Sequence, residues 1–207
     1  EIMLGVSGQQ GLELVSEPEE AEVIVINTCG FIDAAKEESI DAIFALSEHR
    51  IHGRCQSLVV AGCLSQRYPE ELAQEFPAVD YFLGSSDMLK LGPILAGQSS
   101  ARMQVGNPAA YTLRASDPRE LSEHPHRAYL KIAEGCNRKC SFCAIPSFRG
   151  KQRSRSIEDL SIEAQRLISQ GVVELNLISQ DTISYGRDLK PRSNLAQLVK
   201  TLADLDG

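Results

Sequence analysis

The sequence predicts an α/β protein in two parts: a doubly wound layer, then the opening βα units of a barrel. Three observations predict it. Short β-branched runs alternate with helix-like runs in the first half. An aperiodic stretch interrupts the alternation, and the alternation then resumes. A chain of 207 residues has room for one or two domains.

Val23-Ile24-Val25-Ile26-Asn27 is a β-branched run suited to a buried parallel strand, and Thr28-Cys29-Gly30 ends it. A helix pattern follows from Asp33 to His49, with Ala34, Ile40, Ile43, Phe44 and Leu46 available for an apolar face. Ser57 to Ala61 reads as a second strand, stopped by Gly62-Cys63. A helix from Tyr68 to Glu75 is expected, with Pro69 near its start. Tyr81-Phe82-Leu83 is a third strand, and Ser85 or Ser86 is expected to cap the next helix. From Leu95 to Arg127 no periodicity survives, so this stretch reads as a linker with one strand near Val105. His124 and His126 lie in it and read as solvated rather than as ligands. Ala128 to Ile132 is the next strand, and Gly135 turns it. Ile157 to Gln170 is a helix with Ser156 as cap, Glu158 and Asp159 in its first turn and Gly171 at its end. Val172 to Ile178 is a strand and Asn194 to Leu205 a helix. A barrel needs more βα units than these. Together with a start at Glu1 rather than Met, this leads to the expectation of a piece of a longer protein.

No apolar run approaches the roughly 20 residues of a membrane span, so no membrane contact is expected. Six cysteines are present, and three of them fall within eight residues. Such clustering points to metal binding or chemistry in a reducing compartment rather than to a disulfide framework. The chain carries a net charge of −7, yet Ala128 to Arg155 holds seven cations and one anion. That segment is therefore +6 and the remainder −13. An acidic body suits a basic protein partner better than a nucleic acid. Arg149, Lys151, Arg153 and Arg155 are expected at the barrel rim, to hold a carboxylate or to dock an acidic electron donor.

The strongest chemical signal is Cys136-Asn137-Arg138-Lys139-Cys140-Ser141-Phe142-Cys143. Three thiolates on one loop can converge on one metal centre. Zinc normally takes four ligands, and no fourth Cys or His stands close in the sequence. Three ligands on a four-iron cluster leave one iron open to a substrate or cofactor. Cys29 and Cys63 form a second constellation, each at the carboxyl end of an expected strand, where open α/β sheets gather ligands. On pattern alone, two small core residues fit those positions equally well.

The spacing C-x₃-C-x-aromatic-C, with Phe142 as the aromatic, resembles the signature of the radical S-adenosylmethionine (SAM) superfamily. Asn27-Thr28-Cys29 and Ala61-Gly62-Cys63 resemble the two later cysteine motifs of the radical SAM methylthiotransferases. That family's earlier Gly-Cys motif would precede Glu1. The resemblance implies two [4Fe-4S] clusters and SAM. Cys136, Cys140 and Cys143 would be both catalytic residues and metal ligands, while Cys29 and Cys63 would hold the second cluster. Phe142 would pack near the adenine, and Gln180 would hold the SAM amino group. Cys55 matches no motif.

The resemblance also implies boundaries. Residues 1–94 would be a flavodoxin/Rossmann-like methylthiotransferase domain, 95–127 a linker, and 128–207 the start of a radical SAM, partial TIM barrel. The runs Cys29 to Ser39, Glu134-Gly135-Cys136-Asn137 and Ser179-Gln180-Asp181-Thr182 resemble the branch that modifies a ribosomal protein. The target implied is an aspartate β-carbon of ribosomal protein S-twelve, free or in the assembled small subunit. A reducing partner such as a flavodoxin and a cytoplasmic location are implied as well. The tRNA-adenosine branch, or an inactive iron–sulfur-binding fragment, is the alternative.

Overall fold

In the computed structural model, residues 1–122 and 125–205 are described. His124 lies outside them. The chain divides into two compact units, one spanning Ile2–Ala110 and the other Tyr111 onward together with Glu1. The aperiodic stretch is therefore shared between the units at Ala110 and Tyr111.

The first unit contains α1 (Ile2–Gln9), β1 (Val23–Thr28), α2 (Asp33–Ile51), β2 (Ser57–Gly62), α3 (Cys63–Arg67), α4 (Pro69–Glu75), β3 (Tyr81–Leu83), α5 (Leu91–Leu95) and β4 (Met103–Gln104). The strands form one parallel sheet in the order β1-β2-β3-β4. Strand side chains alternate between faces, and both faces are covered. Ile24, Ile26, Leu58, Val60 and Phe82 pack with Ile43 of α2 and Leu72 of α4. Val59, Ala61 and Leu83 pack with Val6 of α1 and Leu91 and Ile94 of α5. This two-sided burial is why the strands read as continuous apolar runs.

Three details depart from expectation. α2 buries Ser39, Ile43 and Ser47, each four residues apart, while Phe44 stays 58% exposed. The two serines satisfy themselves by donating to the carbonyls of Ala35 and Ile43 one turn back, so polar residues sit on the inner face. α3 starts at Cys63, directly on the last residue of β2. Finally, neither Ser85 nor Ser86 caps α5. The Ser85 amide donates to Gln66 Oε1 at 3.0 Å and the Ser86 hydroxyl donates to the Pro108 carbonyl at 2.5 Å, so both are used to tie loops.

The second unit contains β5 (Arg127–Lys131), β6 (Ala133–Glu134), α6 (Ile145–Arg149), β7 (Arg153–Ser154), α7 (Ile157–Ser169), β8 (Glu174–Ile178) and α8 (Leu195–Ala203). β5 and β8 pair in parallel across α7, a βαβ unit of the barrel type. Leu130, Ile132, Leu160, Ala164, Leu167, Tyr185 and Leu198 form its core. The Ser156 Oγ accepts the Asp159 amide at the start of α7, as its sequence position foretells. Asn194 and Gln197 form a reciprocal capping box on α8. The antiparallel β6–β7 pair and the short α6 are additions that periodicity did not reveal, because elements of two to five residues carry none.

Candidate functional site

In the first unit, the parallel register pairs Thr28 with Gly62, so Cys29 and Cys63 are the next residues beyond two adjacent strand ends. Two glycines make this juxtaposition possible. Gly62 has φ 108° and ψ −152°, and a Cβ there would stand 2.6 Å from the Thr28 carbonyl oxygen. A Cβ at Gly30 would stand 2.7 Å from the Cys63 carbonyl oxygen. The two turns are therefore in backbone contact. Arg67 of α3 donates to the Gly30 carbonyl at 2.8 Å and the Cys29 amide donates to Ser39 Oγ at 3.0 Å, which fixes the Cys29 turn from both sides. Cys29 is exposed and Cys63 buried. Cys55 lies before β2, at the opposite end of the sheet, with its thiol donating to the Ser57 carbonyl. Burial pushes the Cys55 thiol pKa up, which suits an inert core residue.

In the second unit, Cys136, Cys140 and Cys143 lie on the loop that follows β6. Cys136 is buried, Cys140 exposed and Cys143 half-buried. Among the described residues no group of three or more His, Cys, Asp or Glu side chains is placed to hold a single metal ion. The chemistry of the donor set nonetheless fits an iron–sulfur cluster. All three donors are thiols from one loop, and the Cys136 sulfur already accepts the Arg138 amide at 3.4 Å. All six cysteines are thiols without a disulfide.

The loop's base is fixed by Gly135, whose φ is 81° and whose hypothetical Cβ would stand 2.6 Å from the Gly150 carbonyl oxygen. The Cys136 amide donates to that same carbonyl at 3.1 Å. Gln180, two residues beyond β8, accepts the Gly135 amide on its Oε1 at 2.7 Å. Phe142 stands 87% exposed on the loop.

The basic stretch is not the open cationic rim expected. Arg155 is 4% exposed, and its guanidinium pairs with Asp159 and Glu163 at 2.6 Å each. Glu163 pairs in turn with Arg119 at 2.6 Å. Arg153 donates to Thr112 Oγ1 and to the carbonyls of Tyr111, Arg149 and Lys151. Lys131 and Arg149 pair with the buried Glu134. Burial alone would raise the Glu134 carboxyl pKa, but these cations outweigh it and hold it below its ordinary value. Segment charge failed as a guide because the partners, Asp159 and Glu163, lie just outside the segment on α7.

The contacts that sequence reasoning missed are Arg67 to Gly30 and the ion pair between Arg138 and Asp181. Asp181 adjoins the strand-end Gln180, and that position was its one available signal.

Residues 1–84 match the model described as uncharacterized protein family UPF0004, and residues 130–203 match that of the radical SAM superfamily. The two matches fall in different parts of the chain, one in each of its compact units. Over its whole length it is similar to bacterial proteins named ribosomal protein uS12 methylthiotransferase RimO. The identity is 61% to that of Sorangium cellulosum, covering 100% of this chain and 43% of the relative. It is 49% to that of Anaeromyxobacter sp. strain K (100% and 44%) and 48% to that of Myxococcus xanthus (100% and 43%). The chain spans less than half the length of these relatives. The resemblance drawn from the cysteine motifs is thus shown across the whole chain. Among the described residues no helix is long and apolar enough to cross a membrane.

Proposed function

We propose that this chain is the front part of a radical SAM methylthiotransferase that places a methylthio group on an aspartate β-carbon of ribosomal protein S-twelve, free or in the small subunit. One observation carries this reading: two cysteine sets occur in one chain, Cys29 and Cys63 just beyond two adjacent parallel strand ends and Cys136, Cys140 and Cys143 together on the loop that follows β6. Similarity along the whole of this chain to proteins bearing that activity's name supports it. Residues 1–94 are assigned the sulfur-supplying role, 95–127 the connection and 128–207 the radical role.

Bound cluster and SAM would supply the electron and the carbon radical that removes the substrate hydrogen. Cys136, Cys140 and Cys143 hold that cluster, and Cys29 and Cys63 hold two positions of a second. Phe142, exposed on the loop, packs against the adenine. Gln180 places its amide beside the same loop, for the SAM amino group. Turnover needs a low-potential reductant such as a flavodoxin, and a cytoplasmic setting suits both the thiols and the ribosomal substrate.

The test uses the full-length protein, purified without oxygen. Cys140→Ser is expected to remove the iron of one cluster and abolish SAM cleavage, and Cys29→Ser to remove iron of the other while leaving SAM cleavage. Mass spectrometry should then find one methylthio group on the ribosomal protein and none on tRNA. A gain on tRNA alone overturns the substrate, and iron content unchanged by Cys140→Ser overturns the site.

A further inference from the structure

The cysteine loop is gripped by residues that come from outside it. Asp181 receives both Nε and Nη2 of Arg138, at 2.8 and 3.1 Å, a two-point contact on the residue midway between Cys136 and Cys140. Gln180 receives the amide of Gly135, immediately before Cys136. Gln152 donates its backbone amide to Asn137 Oδ1 at 3.1 Å and its side-chain amide to the Asp181 carbonyl at 3.3 Å. Residues 135, 137 and 138 are thus each held from the segment after β8 or from the residue before β7.

The asymmetry of exposure shows which partner is the anchor. The Asp181 side chain is 5% exposed and the Arg138 side chain 54%. Ser184 Oγ also donates to Asp181 Oδ2 at 2.7 Å, so the carboxylate is fixed from behind before Arg138 reaches it. Arg138 is the exposed partner, tied down at its tip. Its own backbone amide donates to the Cys136 sulfur. Holding its side chain therefore holds the amide that faces a thiol.

We propose that Asp181 and Arg138 form a clasp that positions the cysteine loop for cluster binding, with Gln180 and Gln152 as its supporting contacts. This rests on the iron–sulfur reading of Cys136, Cys140 and Cys143. Asp181 is a positioning residue: it acts through Arg138 on the loop. The clasp costs the loop its freedom in advance, so less order remains to be imposed when three thiolates are gathered.

The experiment has two readouts on the full-length protein. The first is hydrogen exchange of the loop amides in the metal-free protein, for wild type, Arg138→Gln, Arg138→Lys and Asp181→Asn. Arg138→Gln changes a half-exposed side chain and leaves the core intact, so it protects the test against a folding failure of the Asp181 variant. Loop exchange is expected to rise about tenfold in Arg138→Gln and less in Arg138→Lys, which keeps the charge but not the two-point contact. The second readout is the iron retained per chain after dilution into a chelator, with the electron paramagnetic resonance signal of the reduced cluster. Faster iron loss is expected in the same order as the exchange, while helices α7 and α8 exchange as in wild type. Loop exchange and iron retention equal to wild type in both Arg138→Gln and Asp181→Asn overturn the clasp. Wild type that binds no iron at Cys136, Cys140 and Cys143 overturns the iron–sulfur reading instead, whatever the exchange shows.

Discussion

Replacing Gly62 with Ala should break the junction that sets Cys63 beside Cys29. The backbone at Gly62, with φ 108° and ψ −152°, lies in a region open essentially to glycine alone. Forcing a Cβ there costs on the order of 1–3 kcal/mol in backbone strain. The added Cβ would also sit 2.6 Å from the Thr28 carbonyl oxygen and 3.1 Å from the Thr28 amide nitrogen, both backbone atoms of the residue that stands opposite Gly62 in the β1–β2 register. Relieving that overlap means parting the strands, a further 1–3 kcal/mol or so by the usual cost of overpacking. The sum is about 2–6 kcal/mol, equal to roughly thirtyfold or more in local opening. With no Trp in the chain, fluorescence is a poor probe, so the assay is hydrogen exchange of β1 and β2 amides. Gly97→Ala is the control, since Gly97 has φ 66° with open space where its Cβ would go. It carries the left-handed cost of roughly 1–2 kcal/mol without the overlap. Strand protection that falls no further in Gly62→Ala than in Gly97→Ala would refute the close-approach reasoning.

Further outcomes follow from burial and pairing. In the metal-free protein, an alkylating agent should label Cys29 and Cys140 first, Cys143 next and Cys55 last, read by mass spectrometry of the peptides. Folding raises the Cys55 thiol pKa, so the stability it contributes is present below the ordinary thiol range and is lost as pH rises through the raised value. Glu163→Gln should destabilise the second unit by about 3–5 kcal/mol, because it strips a carboxylate from Arg155 and Arg119, whose side chains are 2% and 6% exposed. Urea unfolding followed by circular dichroism checks this, and a loss below about 1 kcal/mol would mean the two arginines find other partners.

The parallel layer was legible because strands covered on both faces read as continuous apolar runs, as Val23 to Ile26 and Leu58 to Ala61 do. α7 was legible because its capping serine, acidic first turn and closing glycine agree with its apolar period. α3 was not: Cys63-Leu64-Ser65-Gln66-Arg67 is too short for a period, and it is helical because Gly62 turns the chain sharply into it. The positions of Cys29 and Cys63 could be inferred because a parallel register carries strand ends into alignment. What sequence could not supply was the third dimension of the cysteine loop. Gln180 and Asp181 lie more than 40 positions after Cys136, and nothing local tells that one grips Gly135 and the other Arg138.

Charge was the least transferable signal. Seven cations in one stretch suggested a surface for docking, yet pairing is a property of the fold and not of the segment. Arg155 turns inward to α7, Arg153 is spent on neutral oxygens, and Lys131 and Arg149 close on Glu134. Lys139 and Lys151 remain exposed. Neutralising Arg155 would therefore leave the buried Glu163 to Arg119 alone and take Asp159 from its arginine, and the loss would appear as unfolding rather than as weaker docking. Salt dependence separates the two. A docking defect is screened over about 8 Å at physiological ionic strength, whereas the buried pairs of Arg155 lie beyond the reach of added ions. A variant whose defect persists unchanged from low to high salt belongs to the core, and any electron-donor surface must then be sought at Lys139 and Lys151.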